Sequence, residues 1–153
     1  MQYWSRLSSN LRQAILQAHE FAALQGCPAI SPAHLALGLL AVESGAAHHI
    51  LARLGVNISA LRAALFEIAA RTADDNPPPP DDIQPDDNAR RVLHATYIEA
   101  RKHGAIPSPS EDTLVRTEHL LLGLLSPAAD TGLVVFHHYG IFYAEVARII
   151  RER

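Results

Sequence analysis

His34-Leu35-Ala36-Leu37-Gly38-Leu39-Leu40 and His119-Leu120-Leu121-Leu122-Gly123-Leu124-Leu125 are one pattern written twice, 85 residues apart. Each is an apolar run of good helix formers with a glycine at the same place. The offset persists downstream: Gly55 matches Gly140, Val56 matches Ile141, Leu61 matches Val146 and Leu65 matches Ile150. Upstream, Gly26 and Gly104 are 78 residues apart, so the second copy carries seven extra residues between its first two helices. The insertion falls in Pro107-Ser108-Pro109-Ser110-Glu111-Asp112-Thr113, a loop by composition. Self-similarity at a fixed offset is the signature of a repeated structural unit.

Working outward, the flanking apolar residues keep a helical period. Leu7, Leu11, Ala14, Ile15, Ala18 and Ala22 share one face of a helix ending near Gly26; Ile58, Leu61, Leu65 and Ile68 share another. Ala89, Val92, Leu93, Thr96 and Ala100 do the same beyond the midpoint, and Phe142, Val146, Ile149 and Ile150 at the end. No stretch alternates with period two long enough to predict a strand. The fold class predicted is all-α: about eight helices, as a tandem repeat of two four-helix units with pseudo-twofold symmetry. Repeat one spans about 7–71 and repeat two about 89–151, within one domain of 153 residues. Between them, Thr72 to Asn88 holds five prolines and six aspartates, predicting an extended, solvated tether with no helix or ladder. Outside it, thirteen Lys/Arg face ten Asp/Glu, so the net charge of −3 is a property of the tether.

Composition narrows the function. There is no Lys/Arg cluster to pull on phosphates, so no nucleic-acid partner is expected. No eighteen-residue apolar run exists to span a membrane, and Met1 to Arg6 do not start a signal peptide. The single cysteine, Cys27, excludes an internal disulfide and fits a reducing, cytoplasmic setting. None of the eight glycines opens a G-x-x-x-x-G-K-[ST] phosphate loop, and Lys102 is the only lysine, so nucleotide hydrolysis is not expected. No catalytic residues and no cofactors are assigned.

Two copies of a long helix ending in glycine, then a Thr117-Glu118-His119-Leu120-Leu121-Leu122-Gly123-Leu124 type helix, then a Leu54-Gly55-Val56 or Tyr139-Gly140-Ile141 start to a fourth helix resemble the N-terminal domain of Clp ATPases from Leu7 to Arg151. The resemblance implies a non-catalytic, protein-binding globule of the Clp unfoldase and protease system. Its expected partners are Clp ATPase or protease subunits, adaptors and client proteins. If the chain stops at Arg153, a free-standing accessory subunit, adaptor or decoy is implied; if it continues into a motor, a substrate-receiving head. The alternative is a sequestrant of a small ligand or cyclic peptide on the same helical surface.

The resemblance also implies a phosphoarginine site in each repeat, with a glutamate for the guanidinium and a helix start for the phosphate. Carried over, repeat one has Ser8 at the start of its first helix but Ala33 in place of the acid. Repeat two keeps Thr117 and Glu118, but its first helix starts at Asp86 and Asp87, which repel phosphate. Phosphoarginine binding is therefore expected to be weak or absent, and Glu118 also reads simply as a favourable acid in a first helical turn. Phe136, Tyr139, Phe142 and Tyr143 crowd around Gly140 and read either as a partner groove or as core. His34 and His119 are equivalent, but metal sites want three or four ligands. They are expected to anchor loops or pack between repeats, and no metal site is assigned. Gly38 and Gly123 cost about 1 kcal/mol each relative to alanine within helices. A close helix contact, placed between the repeats, is the expected reason.

Overall fold

A computed structural model describes residues 6–103, 114–127, 129 and 134–152. Among them are eight helices: α1 (Ser9–Leu24), α2 (Pro32–Ala41), α3 (Ala46–Arg53), α4 (Ile58–Ala70), α5 (Asp87–Lys102), α6 (Thr117–Leu125), α7 (Val135–His138) and α8 (Tyr143–Arg151). The fold is all-α, as the periodicity predicts. The loop predicted at Pro107 to Thr113 lies outside the described residues.

Local chemistry sets the helix ends. Ser8, Asn57 and Asp86 each accept a hydrogen bond from the backbone N–H three residues on, at 3.1, 3.1 and 2.7 Å, starting α1, α4 and α5. At the far end of α3 and of α7 the chain turns through a left-handed glycine, Gly55 (φ 76°) and Gly140 (φ 74°). The next N–H, of Val56 or Ile141, then reaches back to the carbonyl of Leu51 or Phe136 at 3.1 and 2.9 Å. That is the same glycine-terminated closure in both repeats.

The quoted heptads form α2 and α6, buried from Pro32 to Leu40 and from Thr117 to Leu124. A helix apolar all round belongs in a core. Each fully buried leucine there contributes about 1.5 to 3 kcal/mol of transfer free energy. α1 and α5 lay their apolar stripes on α2 and α6 respectively, and α2 and α6 also touch each other, so both repeats share one core.

The structure relocates the glycine contacts. A Cβ on Gly38 would lie 2.0 Å from the carbonyl oxygen of Ala14 in α1, and one on Gly123 would lie 2.3 Å from Thr96 Oγ1 in α5. Close approach is the reason for both glycines, but the approaching helix comes from the same repeat. The tight glycine between repeats is Gly45, where a Cβ would lie 2.8 Å from Thr117 Oγ1.

The tether is also corrected. Asp74 N–H donates to Gly26 O at 2.9 Å, His19 Nε2 meets Pro80 O at 2.7 Å, and Pro80–Asp82 form a 3-10 turn. Ile83, the one large aliphatic residue of the segment, is buried. Gln84–Pro85 (β2) then pair in parallel with Ala29–Ile30 (β1). Proline removes a donor, yet it leaves a carbonyl and is tolerated in so short an edge pairing. Burial of Ile83 holds the segment down.

Candidate functional site

The helix starts meet across the repeats. Ser8 N–H donates to Val115 O at 2.8 Å, beside an isolated parallel bridge between Leu7 and Val115. Asp86 N–H donates to Ile30 O at 2.9 Å, beside the β1–β2 pair. Ser8 and Asp86 are equivalent, as are Ile30 and Val115, so one hydrogen bond occurs twice about the pseudo-twofold axis. Each corner therefore combines the first helix of one repeat with the second helix of the other. Ser8 shares a corner with the start of α6, where Thr117 and Glu118 stand; Asp86 shares one with the start of α2 and Ala33. The sequence reading paired these groups within each repeat, and the strand pairing exchanges them.

Ser8, Thr117, Asp86 and Asp87 in these corners are engaged. Ser8 Oγ caps α1. Thr117 Oγ1 accepts the Ala47 N–H at 3.2 Å and so caps α3 from the opposite repeat. Glu118 is buried in the first turn of α6. Asp87 pairs with Arg90, whose guanidinium also donates to Pro85 O at 2.6 Å.

Both equivalent histidines anchor the start of their helices. Ser31 N–H donates to His34 Nδ1 at 3.0 Å, and Arg116 N–H donates to His119 Nδ1 at 2.9 Å. An accepting Nδ1 fixes the neutral tautomer with the proton on Nε2, which in His34 donates to Gln25 Oε1 at 2.9 Å. At the position equivalent to Gln25, repeat two has His103, whose ring stacks on His119 at 6.4 Å between centroids. Burial pulls both pKa values down to about 4. Asp86 opposes the effect at His34; His103 and Arg116 add to it at His119. Among the described residues no group of three or more His, Cys, Asp or Glu is placed to hold a metal ion. Cys27 is fully buried, its thiol directed at Ala69 O at 3.5 Å.

The aromatic cluster divides. Phe136 is core, Tyr139 and Tyr143 pack partly buried against it, and Phe142 is exposed and stacked on His137 at 5.0 Å. Tyr143 Oη donates to Glu99 Oε1 at 2.6 Å, and Lys102 Nζ donates to Glu99 Oε2 at 3.2 Å, satisfying a carboxylate buried in α5. Burial, then the Glu99 carboxylate, raises the Tyr143 hydroxyl to about 12.

A feature the sequence reading missed lies between the first helices of the two repeats. Leu7, Leu11 and Ile15 of the α1 side and Leu93, Thr96 and Tyr97 of α5 wall a cleft of about 370 Å³, with Val115 among its lining and Arg90 and His94 its polar members. The helical period put most of these residues on apolar faces; it could not tell a buried face from one lining an opening.

A protein-family model described as the Clp repeat (R) N-terminal domain matches residues 6–135, and the chain belongs to that family. The N-terminal domain of Hsp104 from Candida albicans superimposes with a TM-score of 0.74 at 20% identity, over 95% of this chain and 89% of that one. The N-terminal domain of the chaperone ClpD from Arabidopsis thaliana gives 0.68 at 19% identity, over 97% and 94%. A structure from work on the ATPase ClpV, the TssB-TssC sheath and the accessory HsiE protein of type VI secretion gives 0.71 at 18%, over 96% and 86%. At these identities the likeness shows the fold, that of the N-terminal domains of Clp-type proteins. No single described helix is long and apolar enough to cross a membrane.

Proposed function

We propose that this chain is a non-catalytic docking module of the Clp unfoldase and protease machinery, working in the cytoplasm. It receives client proteins, adaptors or Clp subunits in the cleft between α1 and α5. The observation that carries the reading is the cleft itself: aliphatic walls from both repeats, accessible to a partner, on a body whose other large apolar faces are mostly spent on the core. An extended or helical segment with two or three apolar side chains would bury them there at about 25 cal/mol per Å². The Phe136 cluster is a weaker foothold, since only Phe142 stands well exposed.

The test is fluorescence anisotropy with a labelled, permanently unfolded apolar polypeptide and with purified Clp ATPase subunits. Binding is expected to at least one, and Ile15→Asp, at a half-buried wall position, should weaken it at least tenfold while the melting temperature moves by only a few degrees. Binding that Ile15→Asp leaves untouched, or no binding at all, removes the cleft from the proposal. The small-ligand alternative has one observation in its favour, a volume within the range of small-molecule pockets. A rise in melting temperature with a cyclic peptide, without capture of any Clp protein, would replace the docking reading.

A further inference from the structure

A second cleft shares no lining residue with the one between α1 and α5. It encloses about 340 Å³ and is lined by Ser44, Ala46, His49, Ile50 and Arg53 of repeat one and by Ile149 of repeat two. His49 and Arg53 stand four residues apart on α3 and so project from one face of that helix. No carboxylate lines the cleft, and Arg53 makes no ion pair or hydrogen bond among the described residues. The Ser44 hydroxyl proton is already given to Asn10 Oδ1 at 3.2 Å, which leaves the donors of His49 and Arg53 as those offered to a ligand. Beside them in the lining, Ile50 of α3 and Ile149 of α8 present the edges of otherwise buried side chains, and Ala46 adds a methyl.

The walls are held in place before any ligand arrives. Thr117 of repeat two caps the first turn of α3, and Ser44 is tied to α1 through Asn10. Such a cleft asks for a ligand with an anionic end and an aliphatic body side by side, on the scale of one or two residues. We propose that it is a receptor site for the free carboxyl end of a polypeptide whose last residue is aliphatic. In this arrangement Arg53 grips the terminal carboxylate through its guanidinium fork, His49 donates a second hydrogen bond, and the last side chain lies on Ile50 and Ile149. A lone phosphate would satisfy the cations and leave the apolar wall idle; an internal apolar segment would do the reverse.

The experiment titrates a short labelled peptide ending in leucine with a free carboxylate, the same peptide carboxamidated, and inorganic phosphate as competitor. Binding is followed by anisotropy and by backbone amide shifts. The free acid should bind and move the amides of Ile50, Arg53 and Ile149 more than those of Leu93 and Tyr97. Amidation should weaken it at least tenfold, and so should Arg53→Gln, a change at an exposed position that should leave the circular dichroism and melt unaltered. His49→Ala should weaken it several-fold. Equal binding of acid and amide, shifts confined to the α1–α5 cleft, phosphate binding as tightly as the peptide, or no binding to 1 mM, a limit of about 4 kcal/mol, would each overturn the proposal.

Discussion

Repeat one and repeat two share a backbone plan and differ in the chemistry that holds it. Where α1 carries Phe21, set edge-on to Phe66 at 6.4 Å, the equivalent position of α5 carries Glu99, buried and bonded to Tyr143 and Lys102. Gln25 receives the Nε2 proton of His34 in one corner; His103 stacks on His119 in the other. The duplicated frame is thus specified by what it needs geometrically, a glycine here or an apolar face there. How each buried group is satisfied is free to vary, provided that it is satisfied.

The largest test of that contrast is at the two mid-helix glycines. A methyl at Gly38 meets the backbone oxygen of Ala14 at 2.0 Å, whereas at Gly123 the nearest atom is the hydroxyl of Thr96, which sits on the Val92 carbonyl at 2.8 Å, and the backbone atoms Thr96 N and Val92 O stand further off at 2.9 Å. Backbone yields less readily than a side chain. Gly38→Ala should cost about 3 kcal/mol or more and Gly123→Ala about 1 to 3, as overpacked cores do. Adding Thr96→Ala should recover part of the second loss and none of the first. Urea unfolding checks this; equal costs with no recovery would refute the distinction.

Next in size is the buried carboxylate. Tyr143→Phe should lower stability by about 1.5 kcal/mol near neutral pH, the low end for a hydrogen bond to a charged group. Because folding raises the Tyr143 pKa from 10 to about 12, its contribution is present below pH 10 and declines as the pH climbs from 10 towards 12. The phenylalanine variant should lack that decline in alkaline thermal melts. Removing the apolar partner in repeat one, by Phe66→Ala, should give a loss with no such pH signature.

Smaller effects separate the two histidine corners. Both rings are neutral when folded and titrate near 4, against 6.5 when unfolded. The unfolded chain therefore binds more protons between those values, and stability is full above pH 6.5 and falls as the pH drops towards 4. His103→Gln gives repeat two the residue that repeat one uses. It should shift stability at pH 7 by about 0.5 kcal/mol or less and, by removing one cation beside His119, raise the pKa of that ring, measurable by proton NMR titration. An unchanged His119 titration would mean the stacked pair is electrostatically idle.

The smallest signal concerns phosphoarginine. The crossed corners place the retained hydroxyl and acid together, Ser8 with Glu118, and both departures together, Asp86 with Ala33. Any amide shifts induced by free phosphoarginine should be weak and confined to the Ser8 corner, and Glu118→Gln should abolish them. Equal shifts around Asp86 would break the comparison.

The helices, their number and the duplication were legible because period and spacing are properties of the chain itself. Leu61 and Val146, or Gly55 and Gly140, declare their equivalence in one dimension. The pairing of Ser8 with Val115 was not legible, because an offset says which residues are alike and is silent about which will be neighbours. The cleft between α1 and α5 was hidden for a related reason. Ile15 and Leu93 are written like core residues, and only the separation of two helices leaves them lining an opening.

Residue order alone thus determined eight helices, two units and a chain without a phosphate loop, since hydrophobic period, glycine stops and motif absence are local facts. Only the tertiary structure decided that α1 backs onto Gly38, that Ile83 draws the acidic segment down, and that each corner is built from both halves. Those outcomes depend on which surfaces exclude water together, and that is settled by three-dimensional packing of residues dozens of positions apart.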